Sequence, residues 1–373
     1  MTVPSFEPWM VQALLPEILL LVLALLVLLV DAIWHGRPRT WLGWFTAVGL
    51  VAILVVSVFF GRPHPEQAMI FGGMLRDDWL AFTFRILFLF SATITALLST
   101  GVQGIRQKGE YYALLVIATL GMNLMASAAD LVMLYLAIET TSIPLYVLAG
   151  FLKQDNKSTE SGLKYFLFGA LTSTVMLYGF SLLYGLAGAT NLYVLAEQFR
   201  AGAVSAYVLA GAVILVLVGF GFKVSMVPFH FWSPDVYEGA PTPITAFVST
   251  ASKAAGFAVL VRVMLAAFPA VQAYWVPALS VLAVLTMTLG NLLALAQKNI
   301  KRLLAYSSIA HAGYVLIGLV SLSVFGVTIV VFYLAAYMVS NLAAFSVVIL
   351  FSRAAGSEEI KDYAGLSRRS PGL

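Results

Sequence analysis

Long apolar runs separated by short polar loops fill this chain from end to end. Eleven of them reach about 18 residues with few or no charges, the length an α-helix needs to cross roughly 30 Å of hydrocarbon. They fall at 10–34, 41–60, 78–100, 110–128, 130–151, 160–185, 206–231, 241–267, 274–296, 303–320 and 323–352. The expected fold class is all-α: a polytopic membrane protein with about eleven transmembrane helices. Pro241 and Pro243 read as a helix start. Pro144 reads as a break within the fifth run, and Gly219, Gly221 and Pro228 mark the seventh run, around Lys223, as discontinuous. No basic segment precedes the first run, which is too long for a signal core, so it is expected to stay in the mature chain.

The polar loops orient these helices. With the N-terminus outside, eleven crossings put Arg37, Arg39, Arg106, Lys108, Lys153, Lys157, Lys298, Lys301, Arg302, Arg353, Lys361, Arg368 and Arg369 on the inner side. Only Arg62, Arg76 and Arg200 are left outside. Basic residues collect on the cytoplasmic side of membrane proteins, so the C-terminus is expected in the cytoplasm.

Composition agrees with the pattern and narrows the chemistry. Hydrophobic residues make up 61% of the chain and charged residues 10%, against roughly 25% in a soluble domain. There is no cysteine, which excludes thiolate metal sites, cysteine-ligated iron–sulfur clusters and disulfides within the chain. The four histidines, at 35, 64, 230 and 311, are too scattered to suggest haem or zinc. Gly219-x-Gly221 lacks the third glycine and the strand-to-helix setting of a dinucleotide loop. No cofactor, metal or redox centre is expected in this chain. The net charge of +4 is spread over short loops without a basic stripe, so no nucleic-acid partner is expected.

Charges inside the runs carry the information. An ionised side chain at the bilayer centre costs about 2.5–3.5 kcal/mol on insertion scales, and its default reading is a paired, inward-facing functional group. Glu139 is the only charge between Leu131 and Leu152. Lys223 is the only lysine, arginine or carboxylate between Ser205 and Ser233, and Lys253 the only one between Gly239 and Val261. Lys164 is equally isolated but lies about a turn inside the cytoplasmic end of its helix, where a long side chain snorkels, so both a functional and a structural reading stand. His311 reads as a relay or as a hydrogen-bonded core residue, with Ser307, Ser308 and Tyr314 within helical reach. His230 reads as a gate for proton entry or as the cap of a broken helix. Arg85 and Arg262 read as ties between helices or as groups reaching a headgroup, and Glu17 and Asp31 as structural.

Proton transfer links the candidates. Burial disfavours the charged form of a lysine and a nearby carboxylate restores it, so an ammonium whose partner withdraws becomes a switchable proton site. The expectation is that Glu139 faces Lys223 and holds it protonated, and that separating them releases the proton toward Lys253.

The run FKVSMVPFHFWSPDVYEGAPTPITAFVSTASKAAGFAVLVRV, at 222–263, resembles the signature segment of the antiporter-like membrane subunits of respiratory complex I, the proton-translocating NADH:quinone oxidoreductase. LPEILLLVLALLVLLVD at 15–31, SGLKYFLFGALTSTVMLYG at 161–179 and QKNIKRLLAYSSIAHAGYVLIGL at 297–319 share the likeness, which covers most of the chain. The resemblance implies an inverted-repeat fold of two five-helix units, each with a broken helix. Residues 1–109 would hold three flanking helices, 110–268 the first unit, and 269–373 a partial second unit of three helices with a cytoplasmic tail. It implies that Glu139, Lys164, Lys223, Lys253 and His311 match the family's proton-path residues, His230 lying in the signature run beside them. NADH, FMN, iron–sulfur clusters and quinone would bind other subunits of the complex. The implied setting is the plasma (inner) membrane of a prokaryote, among other membrane subunits and lipid. The family pattern continues past SRRSP with further helices, including a second broken helix and its lysine. The sequence ends at Leu373, so a fragment or a truncated chain is expected. Two other readings stay open: a subunit of a multi-component sodium/proton antiporter, told apart by a response to sodium, and a non-transporting scaffold whose buried charges only hold helices together.

Overall fold

The structure is a computed structural model, and it describes residues 8–34, 38–64, 69–202, 204–323 and 325–372; His35 and Arg37 lie outside them. Among the described residues, eleven helical segments are long and apolar enough to cross a membrane. In chain order the helices are α1 (Pro8–Ala13), α2 (Leu15–Ile33), α3 (Leu42–Phe60), α4 (Trp79–Ser99), α5 (Gly109–Ser127), α6 (Leu131–Ala149) and α7 (Asn156–Ala187). They continue as α8 (Leu192–Arg200), α9 (Ala206–Val224), α10 (Trp232–Gly239), α11 (Thr242–Phe247), α12 (Lys253–Ala267), α13 (Gln272–Leu295), α14 (Ile300–Val320), α15 (Gly326–Ala355) and α16 (Leu366–Arg369). A two-stranded hairpin, β1 (Met69–Ile70) with β2 (Leu75–Arg76), fills the loop between α3 and α4. Lipid offers the backbone no hydrogen bonds, so each apolar run must satisfy its own as a helix. Short polar residues close the helix starts: Asp78, Asp130, Asp155, Asn191 and Asn299 each accept from backbone N–H groups of α4, α6, α7, α8 and α14.

The first apolar run begins as the short helix α1 and turns into α2, where Pro16 lies in the first turn. Pro144 does not interrupt its helix: α6 runs unbroken from Leu131 to Ala149. Pro243 sits in the first turn of α11, as expected. The seventh run does break. Helix α9 ends at Val224 and Ser225 turns left-handed at φ +58°, with Met226 N–H donating back to Gly221 O at 2.8 Å. The following segment carries a cis Val227–Pro228 bond and is tied to α13 through Val227 N–H to Thr286 Oγ1 at 3.1 Å. It then enters α10, which packs back against α7 and α14.

The span from Thr242 to Ala267 stands at the centre, enclosed by α4, α5, α8, α9 and α15. It is not a uniform α-helix. Residues Val248–Ser252 form one π-turn between α11 and α12, delivering Lys253 at the start of α12. Small residues let neighbouring helices close: a Cβ on Gly121 would stand 2.6 Å from the Thr141 backbone N of α6, and one on Gly290 2.6 Å from that of Ala310 on α14.

Charge pairs lace the bundle. Arg85 on α4 meets Glu17 on α2 at 2.9 Å and also reaches the Gly61 and Ala13 carbonyls. Arg262 on α12 grips Asp78 with two bonds of 2.8 Å and donates to Ala126 O at 2.8 Å. Asp31 pairs with Arg39 at 2.5 Å. Arg85 and Arg262 thus tie helices together, and Glu17 and Asp31 are engaged in ion pairs. The loops near Arg39, Gln107, Leu152, Lys157, Glu238, Arg302 and Glu358 are joined at one end of the bundle by the contacts Arg39–Gln107, Gly104–Leu152, Lys157–Glu238, Arg302–Glu238 and Lys301–Glu358.

Candidate functional site

Lys223 occupies the last turn of α9, immediately before the break, and is 5% exposed. Its ammonium donates to Ser142 Oγ on α6, and Ser142 in turn donates to the Ile138 carbonyl one turn back. Glu139, three residues before Ser142, instead accepts from Ser173 Oγ on α7 at 2.7 Å. The expected Lys223–Glu139 ion pair is therefore not formed; Ser142 holds the ammonium and Ser173 the carboxylate, while the Glu139 carboxylate stays within electrostatic range of Lys223. Residues three apart on a helix share a face, so the hydroxyl and the carboxylate present two alternative partners to one lysine.

Lys253, 2% exposed, reaches α14: its ammonium donates to the Ser308 carbonyl at 2.9 Å and to Ser308 Oγ. The Tyr237 hydroxyl of α10 meets the same Ser308 Oγ at 3.3 Å. Among the described residues, neither Lys223 nor Lys253 has a carboxylate within ion-pair distance. One turn beyond Ser308, His311 Nδ1 pairs with Tyr333 Oη of α15 at 2.5 Å, and Tyr314 packs edge-on at 5.5 Å. Of the three neighbours proposed for His311 from helical spacing, Tyr314 touches its ring, whereas Ser308 is engaged by Lys253.

Lys164 is placed apart from this buried set. Its ammonium bonds Asp235 at 2.6 Å and Glu160 at 2.7 Å, and 37% of the side chain is exposed. Arg302 reaches Asp235 at 2.7 Å and Glu238 at 3.0 Å, and Lys157 reaches Glu238 at 2.8 Å. These six residues line a polar cavity of about 250 Å³. Burial pushes the Asp235 carboxyl up, but bonds and charge from Lys164 and Arg302 outweigh it and hold it below the usual range. Glu238 is held low in the same way, by Lys157 and Arg302 against burial. His230 is buried in the turn that opens α10, where its backbone carbonyl accepts from Ser233 N–H at 3.0 Å and its ring lies on Phe231 at 4.5 Å.

Sequence reasoning missed Ser142, and it placed Ser308 beside His311 without the role it has as the partner of Lys253 and Tyr237. Tyr146, on the face of α6 that carries Ser142, runs its hydroxyl against Gly169 of α7: a Cβ there would stand 2.0 Å from Tyr146 Oη. Gly169→Ala is expected to expel the ring and cost about 1–3 kcal/mol, as overpacking does. Thermal unfolding of the solubilised protein reads this as a lowered midpoint; an unchanged midpoint would show that the slot is not tight. Among the described residues, no three His, Asp or Glu side chains converge on a metal site.

The enclosed charges and the discontinuous helix make this a polytopic α-helical membrane protein with a polar interior. Residues 128–373 match the family model described as NADH:quinone oxidoreductase/Mrp antiporter, TM. NADH-quinone oxidoreductase subunit N of Moorella thermoacetica is 48% identical over 358 residues, covering 95% of this chain and 74% of that protein. Subunit N 2 of Chloroherpeton thalassium is 44% identical over 375 residues, covering 96% of this chain and 72% of that one. A solved chain of respiratory complex I from Thermus thermophilus superposes with a TM-score of 0.77 at 36% identity, covering 95% of this chain and 75% of its own. The chain belongs to the NADH:quinone oxidoreductase/Mrp antiporter membrane family.

Proposed function

We propose that this chain is a proton-translocating, non-redox N-type membrane subunit of NADH:quinone oxidoreductase. The observation that carries the reading is the pair of enclosed ammoniums, Lys223 and Lys253, each held by a serine in place of a carboxylate. A neutral partner leaves the proton of a buried lysine mobile, whereas an ion pair would fix it. The arrangement of Lys223 on Ser142 and Glu139 on Ser173 corresponds to the separated state, in which the proton can move toward Lys253. His311 continues the path beyond Lys253, whose charge lies within its electrostatic range. Lys164 and His230 serve at the inner entrance, Lys164 within the polar cavity around Asp235. Relatives named as subunit N support this reading over a sodium/proton antiporter subunit.

In this reading residues 110–268 form the first five-helix unit and 269–373 part of the second. The chain sits in a prokaryotic plasma membrane with its N-terminus outside, among other membrane subunits. NADH, FMN, iron–sulfur clusters and quinone belong to those other subunits. The test uses the assembled complex in proteoliposomes, following NADH-driven quinone reduction and proton uptake in sodium-free and sodium-containing buffer. Uptake is expected without sodium, and Glu139→Gln is expected to slow it by on the order of 10²-fold, the lower end of the loss from a removed acid–base group. Uptake that requires sodium would move the chain to the antiporter class.

A further inference from the structure

Building on the proton-carrying reading, we propose that Tyr237 is a positioning residue for Lys253: its hydroxyl bonds Ser308 Oγ and lets that serine serve the lysine in both its charged and its neutral form. Lys253 Nζ, Ser308 Oγ and Tyr237 Oη make one bonded line across α12, α14 and α10. The lysine donates to Ser308 Oγ and, at 2.9 Å, to the Ser308 carbonyl, and the phenol oxygen lies 3.3 Å from Ser308 Oγ. All three side chains are buried.

The two enclosed lysines differ in what their serines can do. Ser142 gives its proton to the Ile138 carbonyl, so its oxygen accepts from the Lys223 ammonium and has nothing left to donate to an amine. Ser308 is placed otherwise. Among the described residues its hydroxyl is bonded only to the side chains of Lys253 and Tyr237, and serine and phenol hydroxyls both donate and accept. With Lys253 charged, the ammonium donates to Ser308 Oγ and Ser308 donates to Tyr237 Oη. With Lys253 neutral, the amine presents a lone pair, Ser308 donates to it, and Tyr237 donates to Ser308. Every buried polar group in the line keeps a partner in both states. Tyr237 retains its own proton throughout, so the exchange reverses hydrogen bonds and moves no proton to or from the phenol.

The fold fixes the phenol where this exchange needs it. Helix α10 returns from the break in α9 onto α14 and is pinned there on both sides of Tyr237, by Asp235 and Glu238, which meet Arg302 at 2.7 and 3.0 Å. The Tyr237 carbonyl accepts from Thr245 Oγ1 of α11 at 3.1 Å, in the same membrane span that carries Lys253. The backbone of Tyr237 is thus anchored to both of the elements whose groups its side chain joins.

Tyr237→Phe removes the hydroxyl and keeps the ring, and neutral Lys253 and Ser308 can then no longer both be satisfied. In the assembled complex in proteoliposomes, complex content is expected to stay at the wild-type level. The kcat for quinone reduction and the coupled proton uptake should fall by on the order of ten-fold, the size of one buried hydrogen bond left unmade, with the KM for quinone unchanged and a larger solvent deuterium isotope effect. Because the phenol acts through Ser308, the double variant Tyr237→Phe, Ser308→Ala should lose no more than Ser308→Ala alone. Wild-type rate and isotope effect in Tyr237→Phe would overturn the proposal, as would additive losses in the double variant or a loss that matches lost assembly. Lys253→Met is measured in parallel. If it abolishes uptake while Tyr237→Phe is silent, the positioning role alone fails; if it too is silent, the proton-carrying reading fails with it.

Discussion

Lys223→Met is expected to leave the complex assembled and to cut coupled proton translocation by on the order of 10²-fold, the lower end of what a positioned proton-transfer group contributes. Assembly survives because the ammonium's partner is neutral: Ser142 keeps its bond to the Ile138 carbonyl, so no charge is left stranded. Methionine matches the length of the lysine stem and adapts to irregular packing, here against Gly256 of α12, where a Cβ would stand 3.2 Å from Lys223 Cβ. Removing a buried charge also removes an insertion cost of about 2.5–3.5 kcal/mol. The measurement follows quinone reduction and proton uptake together in proteoliposomes. Persistence of both at the wild-type ratio would make the lysine structural and overturn its place in the path.

That lysine was legible in the sequence because it is alone. An isolated ammonium between paired glycines and a proline marks both a buried charge and a broken helix, and the chain breaks one residue past Val224. Lys253 and Glu139 stood out in the same way. Their partners did not, because serine and threonine are common in apolar helices, where they bond the carbonyl one turn back, as Thr46, Ser57, Thr93 and Thr119 do here. Nothing in the pattern separates Ser142 or Ser308 from them. The ion pair expected between Glu139 and Lys223 followed from opposite charge, but only the packing of α6 against α7 shows Ser173 taking the carboxylate. Asp235 was hidden differently: WSPD reads as a turn, and only the return of α10 onto α7 brings it to Lys164, 71 residues away. The π-turn before Lys253 has no proline or paired glycines to announce it, because its irregularity is fixed by enclosure and not by local preference.

The Arg262–Asp78 pair is expected to behave in the opposite way to Lys223. Asp78 caps α4 by accepting from Ala81 N–H at 2.9 Å and receives both Arg262 bonds, so it anchors the central helix to the start of α4. Asp78→Asn leaves the Arg262 guanidinium buried without its counter-charge, and breaking such a pair costs about 3–5 kcal/mol. Arg262→Met strands the carboxylate less severely, because Arg76 lies 3.5 Å from Asp78 and the α4 cap remains. The double variant should recover much of the loss, since no uncompensated charge is then buried. The pair also fixes an acid limit. Burial pushes the Asp78 carboxyl up, but the Arg262 bonds and charge outweigh it and hold it below its ordinary value. A depressed carboxylate contributes stability above the unfolded-state value of about 3.9, and that contribution is lost as pH falls through the lower folded-state value. Thermal midpoints of wild type, both single variants and the double, taken from neutral pH down to about pH 3, test this directly. Equal losses in the double variant and Asp78→Asn would show that the guanidinium needs no counter-charge, and a wild-type midpoint unchanged on acidification would show that Asp78 is not held ionised by Arg262.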